Sequence, residues 1–514
     1  MKKVLYVAYE SLPFIKTGGL ADVAYALPKA IDKYDVSVVL PLHKLIKDNY
    51  LDKLSLVKTI NIGFASSIDE ANLYTLDNEG VTYYFIENDK YFNRSDVYGY
   101  DDDVLRFMFF SIAVIEFMVE LKKYPDIIHC NDYHTALIPA LCKYRYNNIK
   151  AIDRIKFIYT IHNLIYQGSY SKRYYKYLEI DDKYWTDGTL RFNDELNFMK
   201  IGICTADKIT TVSSVYAGEI LNGYSGQGLD QVLRYRKDDI VGITNGIDYD
   251  LFDPSRDEYL YKKYSVSNYL KGKAFNKKAL LETIGLNDNG DMLVGVISRL
   301  TNQKGFDLLL NVYHQILRKK AKLVIIGSGE SKYEYAFRIM EKEYPSRVRY
   351  FCVYNEELAH KVYAACDLML MPSLFEPCGL SQLIAMRYGT LPLVRETGGL
   401  LETVEPYNEY EKTGRGFSFT PFNSLDMMIV FNYAYRQYFD NQKDYKMLIR
   451  NAMKYDSSFK TVSLKYEKLY DEVLKHVKKV WQIFWGLWIR GLQTFWFSYQ
   501  GWWYGVYCLG SSCT

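Results

Sequence analysis

Proline is sparse in this 514-residue chain, twelve residues against fifty tyrosines. Its eight cysteines include no CxxC pair, which argues against a zinc knuckle or a thioredoxin-like redox motif. Charge of one sign is also missing: Lys plus Arg is 64 and Asp plus Glu is 61, so the net charge is 64 − 61 = +3. That is too little for a nucleic-acid binder driven by bulk electrostatics. There is no signal-peptide pattern, because the apolar run that begins at Val4 is interrupted by Glu10. Together with the unpaired thiols, this predicts a cytoplasmic protein. No G-x-G-x-x-G follows the first apolar run, Gly327-Ser328-Gly329-Glu330 is only a partial match, and no G-x-x-x-x-G-K-[ST] occurs. A dinucleotide-binding fingerprint and a P-loop ATPase are therefore disfavoured.

The chain does contain enough apolar sequence, 49% against 24% charged residues, to form two or three globular domains. Short apolar runs alternate with helical periodicity. The first half has runs at 4–9, 36–41, 83–86, 126–131, 156–163 and 208–213, and helix candidates at Leu20–Ile31, Val104–Leu121 and Glu195–Ala206. The second half repeats the design, with runs at 292–300, 321–327, 347–354, 368–373 and 391–396. Its helix candidates are Lys304–Leu317, Glu356–Ala365, Leu380–Tyr388 and Leu400–Val404. Continuous apolar strands between helices predict parallel sheets covered on both faces. The predicted fold is α/β, two Rossmann-like doubly wound domains facing a central cleft. Turn residues between Asn245 and Pro254 mark the seam.

The tetrapeptide TGGL occurs twice, at Thr17–Leu20 and Thr397–Leu400, each time between a strand and a helix. Paired glycines let backbone approach a ligand, and a helix start offers free N–H groups for an anion. An ordinary strand-to-helix turn is the plainer alternative for either copy. The end of the chain differs in kind: from Val480 to Thr514 the only charged residue is Arg490, and six of the seven tryptophans lie there. Adsorption at a membrane interface is one reading. We prefer an extension without an evolved role, so a chain ending near Lys478 should keep full activity.

Four segments carry candidate chemistry. Lys16, beside Gly18-Gly19, suits a diphosphate, with Asp22 on the following helix. Arg299 and Lys304 flank Gln303 at a predicted strand end and helix start, where two cations oppose the helix dipole unless an anion joins them. Glu376-Pro377-Cys378-Gly379-Leu380 joins a strand to a helix, so Glu376 is either a catalytic carboxylate or a helix cap. His129 and His134 have no third ligand at metal spacing, and core or supporting roles are preferred to a metal site. Asp132, His134 and His162 remain candidates for a sugar pocket.

Taken in order, KTGGLADV (16–23), HCNDYHTAL (129–137), TIHNLIYQG (160–168), NGID (245–248), SRLTNQKGFD (298–307), the run PSLFEPCGL…RETGGL (372–400) and GRGFSF (414–419) resemble bacterial glycogen synthase, a family that includes plant starch synthase. The resemblance extends to about Leu474. It implies a GT-B glycosyltransferase with an N-terminal domain over 1–245, a nucleotide-sugar domain over 246–455 and a helix over 456–478 that crosses back, leaving 479–514 outside. It also implies retaining transfer of glucose from ADP-glucose to the non-reducing end of an α-1,4-glucan, with no metal or cofactor. By position, Lys16, Gly18 and Gly19 would meet the donor, with Asp22 on its nucleotide side. Arg299 and Lys304 would neutralise the leaving diphosphate, and Gln303 would stand between them. Tyr354 would stack on adenine. Glu376 and the backbone of Cys378, Gly379 and Leu380 would hold the glucosyl group. His162 and Asn245 would line its pocket, while Glu10, Asp132 and His134 would sit near the acceptor. Thr397 and Gly398 would contact phosphate. Residues 94–100 resemble the family's glucan-side loop. Ile384 stands eight positions after Glu376, where many other retaining transferases carry a second glutamate, and Tyr133 replaces a frequent Trp. The alternatives are a non-catalytic glucan-binding protein, a UDP-glucose-using transferase, and a transferase attached to the membrane by its tail.

Overall fold

The computed structural model describes residues 1–353 and 355–475. The Trp-rich segment and the expectation attached to it lie outside the described residues, as does Tyr354. Two sheets organise the rest. Starting from the edge strand Ile240–Gly242, the first sheet runs through Lys208–Thr211, Lys156–Ile161, Ile127–Asn131, Lys3–Val7, Asp35–Pro41 and Val81–Glu87 to Ser67–Asn78 and Ser55–Phe64. Its pairings are parallel except for the last two, where Ser55–Phe64 and Ser67–Asn78 form a hairpin that extends the edge antiparallel. The second sheet has the order Val348–Phe351, Ala321–Ile326, Met292–Ile297, Leu368–Met371, Leu391–Arg395, Phe417–Phe419, and all its pairings are parallel.

The central strands are apolar at nearly every position, not at alternate ones, because helices cover both faces. Ala321–Ile326 and Met292–Ile297 are buried throughout. Each sheet has its own hydrophobic core. The C-terminal helix Phe459–Lys475 belongs to the core of the first domain. It packs on helix Gly19–Ala30. Tyr470 hydrogen-bonds His129 Nδ1 at 2.8 Å, and Asp471 accepts from Lys33 at 2.5 Å and from Tyr34 at 2.6 Å. The chain thus leaves the first domain, builds the second and returns to seal the first.

Two helices differ from the sequence expectation. The continuous helix expected over Lys304–Leu317 is two short helices, Phe306–Leu310 and Tyr313–Leu317, preceded by the turn Asn302–Lys304. Gly305 at φ +69 prevents the helix from starting at Lys304. The helix expected from Glu195 begins at Phe198, because Glu195–Asn197 pairs as a strand and the Asn197 side chain caps the helix by accepting from Lys200 N at 2.8 Å.

Candidate active site

The carboxyl ends of the strands of both sheets open into one cleft of about 900 Å³. Such ends are the usual ligand site of open α/β sheets. Lys16, Gly18, Gly19, Asp22, Glu10, Asp132, His134 and His162 line it from the first domain. Arg299, Gln303, Lys304, Glu376, Cys378, Gly379 and Leu380 line it from the second, and Asn245 lies at the junction.

On the second domain, local sequence explains how Lys304 meets Glu376. A Cβ on Gly305 would lie 2.0 Å from the Pro372 carbonyl oxygen, so only glycine lets this turn press on the strand end. Leu374 N donates to Gln303 O at 2.8 Å and Gln303 Nε2 donates to Phe375 O at 3.2 Å, which joins the two segments. Lys304 Nζ consequently sits 2.6 Å from Glu376 Oε2, and the Ser373 hydroxyl donates to the same oxygen at 3.1 Å. Arg299 lies on the cleft wall and forms no ion pair among the described residues. Beyond Glu376, the amides of Cys378, Gly379 and Leu380 have no acceptor among the described residues. Glu376 is no simple helix cap: Leu380, not Glu376, occupies the N-cap of helix Ser381–Arg387.

On the first domain, Glu10 accepts from Thr17 N at 2.5 Å and from the Thr17 hydroxyl at 2.6 Å, which folds the TGG turn over the end of the first strand. The Gly18 and Gly19 amides are left without acceptors among the described residues. Lys16 pairs with Asp22 at 2.7 Å one turn into the helix. Burial pushes the Glu10 carboxyl up to about 7, although the two Thr17 donors pull it down. Burial pushes Asp132 up to about 7 as well, against the amides of His162 and Asn163. Asp22 is likewise raised by burial, with Lys16 opposing.

His162 is neutral, since burial lowers it to about 3. Its tautomer follows from its neighbour. Asn131 Nδ2 donates to the carbonyls of Val7 and His129 at 3.1 and 3.3 Å, so Asn131 Oδ1 faces His162 Nε2 at 3.0 Å as acceptor. Nε2 therefore carries the hydrogen and Nδ1 is the acceptor. His134 stacks on Tyr9 and Tyr98, with ring centroids 5.1 and 4.8 Å apart, and burial lowers it well below the usual histidine range. Tyr98 comes from the 94–100 loop and faces the cleft. The buried atoms Asn245 Oδ1 and His134 Nδ1 have no hydrogen-bond partner among the described residues, and both residues line the cleft.

His129 is structural, held between Tyr470 and Thr160. No group of three or more His, Cys, Asp or Glu suited to a metal occurs among the described residues, and no helix among them is long and apolar enough to cross a membrane. Thr397 and Gly398 depart from the expected phosphate contact. The Gly398 amide donates to Glu219 Oε1 at 2.9 Å and the Thr397 hydroxyl to the same oxygen at 3.3 Å, so a carboxylate already takes the donors meant for an anion. Sequence reasoning missed Glu219, Glu402 and Asn131. Asn131 stood in a quoted motif, whereas the two glutamates had no local signal.

The chain is similar to known proteins over most of its length. Residues 3–235 match the starch synthase catalytic domain family, and residues 280–455 match the group 1 glycosyl transferases. A glycogen synthase of Lachnospira eligens is 43% identical over 478 residues, covering 92% of this chain and all of the relative. One of Streptococcus mutans is 44% identical over 477 residues, with the same coverage. The solved catalytic domain of starch synthase IV from Arabidopsis thaliana, bound to ADP and acarbose, superposes with a TM-score of 0.86 at 31% identity, covering 92% of this chain and 100% of that one. Two facing α/β domains, a shared cleft and likeness to these enzymes over 92% of the chain lead to one conclusion: the chain is a GT-B glycosyltransferase and belongs to the glycogen synthase family.

Proposed function

We propose that the enzyme transfers glucose from ADP-glucose to the non-reducing end of an α-1,4-glucan with retention of configuration. The observation that carries this reading is the convergence of Lys16, Arg299 and Lys304 with Glu376 in one cleft built by both domains. A sugar leaving a diphosphate gains negative charge on the phosphates and positive charge on the anomeric carbon. In this reading Arg299 and Lys304 stabilise the first and Glu376 the second. Gly18 and Gly19 line the cleft from one domain and Cys378, Gly379 and Leu380 from the other, and amides of both sets would suit phosphate and sugar oxygens. In this reading side-chain cations and backbone amides neutralise the diphosphate, so no metal or cofactor is called for. Asn245 Oδ1 and His162 Nδ1 would accept from glucosyl hydroxyls, and Glu10, Asp132, His134 and Tyr98 would flank the acceptor. The Arabidopsis enzyme's bound ADP supports an adenine donor. Buried free thiols at Cys130, Cys142, Cys366 and Cys378 support a reducing cytoplasm.

Labelled ADP-glucose and glycogen should give labelled, lengthened chains, and Glu376→Ala should abolish the incorporation. Full turnover by that variant would remove Glu376 from the chemistry. Arg299→Ala or Lys304→Ala should lower turnover by roughly 100-fold, the cost of one oxyanion donor. Running UDP-glucose in competition identifies the donor base.

A further inference from the structure

The two domains also meet through residues that do not line the cleft. Helix Ser214–Glu219 of the first domain packs on helix Gly398–Thr403 of the second. Glu219, the last residue of the first helix, accepts from Gly398 N and the Thr397 hydroxyl at the start of the second. Glu402, next to last in the second helix, accepts from Ser214 N at 2.7 Å, Ser214 Oγ at 2.8 Å and Val215 N at 3.3 Å at the start of the first. Its other oxygen accepts from the Thr244 hydroxyl beside the seam. Burial alone would raise the Glu402 carboxyl, but the donors outweigh it and hold it below its ordinary value. Each helix is thus capped across the domain boundary by a carboxylate of the other, with acid placed where the dipole favours it.

The exchanged caps adjoin the backbone that carries the candidate catalytic residue Glu376. Gly399 N, next to the amide held by Glu219, donates to Glu376 O at 3.1 Å and Pro377 O at 3.2 Å. Gly398 adopts φ +46, and a Cβ there would fall 2.1 Å from Glu376 O. From the first domain, the Ser213 hydroxyl donates to Pro377 O at 2.8 Å, immediately before the residues that Glu402 caps. The backbone of Glu376–Pro377 is therefore gripped from both domains at once, while its side chain extends to Lys304.

We propose that Glu219 and Glu402 are positioning residues, a reciprocal clasp that holds the two domains together and thereby aims Glu376 at the reacting sugar. This rests on the reading of Glu376 given above. Turnover of ADP-glucose with glycogen, the KM for each substrate, and melting temperature test it in Glu219→Ala, Glu402→Ala, Glu219→Gln and Glu376→Ala of the full chain. Glu219→Ala and Glu402→Ala should each lower kcat at least tenfold, with the KM for glycogen within threefold of the parent when assayed well below melting. Glu219→Gln should recover at least half of the parent kcat, because its amide oxygen still accepts from Gly398 and Thr397. The double alanine variant should lose little more than the worse single variant, since both residues hold one arrangement. If an alanine variant does not fold, Glu219→Asp, which keeps the charge but shortens the reach, should show the same kcat loss. Parent-like kcat in both alanine variants, or a Gln variant as impaired as Ala, overturns the clasp. If Glu376→Ala abolishes turnover while both clasp alanine variants keep the parent kcat, this inference alone fails. Turnover by Glu376→Ala removes the reading beneath it.

Discussion

The two TGGL turns have the same four residues and different surroundings. At Thr17–Leu20 a carboxylate from the same domain, Glu10, takes the threonine amide and hydroxyl, which leaves both glycine amides facing the cleft. At Thr397–Leu400 a carboxylate from the opposite domain, Glu219, takes the threonine hydroxyl and the first glycine amide, and Glu376 O takes the second. One turn therefore has donors to offer a ligand, while the other spends its donors on the domain seam. A short motif defines a set of donors, and the direction from which a carboxylate approaches decides how they are used.

Glycine substitution should separate the two turns most sharply. Gly398→Ala places a Cβ 2.1 Å from backbone oxygen at positive φ, so it should cost about 3 kcal/mol or more in thermal unfolding and remove activity. Gly18→Ala meets only Glu10 Oε1 at 3.7 Å with extended backbone, so it should fold normally and weaken ADP-glucose binding. Equal melting temperatures would break the contrast. Next in size, Lys16→Ala should raise the KM for ADP-glucose roughly 10- to 100-fold, the range of a charge-assisted contact, with little change in melting.

Glu10→Gln probes the carboxylate beneath the first turn. The native state holds this proton up to about pH 7, against about 4.5 when the chain is unfolded, so stability falls as pH rises through that interval and is level above it. The variant should be more stable than the parent at pH 8, by on the order of 2 kcal/mol, and no different at pH 4. Asp132 shifts in the same direction and remains, so part of the decline should persist. An unchanged melting profile from pH 5 to pH 8 would contradict the buried-carboxyl argument. Smallest of all, Thr397→Val removes one 3.3 Å bond to Glu219 while the Gly398 amide remains, so a stability loss of about 1 kcal/mol or less is expected.

Much of the architecture was legible because buried parallel strands are apolar throughout. The runs at 321–327, 368–373 and 391–396 correspond to Ala321–Ile326, Leu368–Met371 and Leu391–Arg395. The hairpin Ser55–Asn78 escaped notice for the opposite reason. Its strands are half exposed, with Leu56 and Ile68 in solvent, and its two-residue turn is Ala65-Ser66 at φ +50 and +68, where Asn-Gly would have announced it. Most candidate site residues occur in motifs long enough to recognise, and the structure brings Lys16, Arg299, Lys304 and Glu376 to one cleft. The expected role of Thr397 and Gly398 did not survive, because Glu219 lies 178 positions away from Thr397 in sequence.

Hydrophobic periodicity, glycine placement and motif order are local properties. They were enough to specify two α/β domains, the cleft between them and the segments that line it, because backbone geometry and burial act over a few residues at a time. Which donors stay free, which histidine nitrogen accepts, and how Glu10 and Asp132 come to hold protons near neutrality depend on groups brought together from distant parts of the chain. Hydrogen bonding and desolvation act over a few ångströms, whatever the separation in sequence, so only the folded chain could settle them.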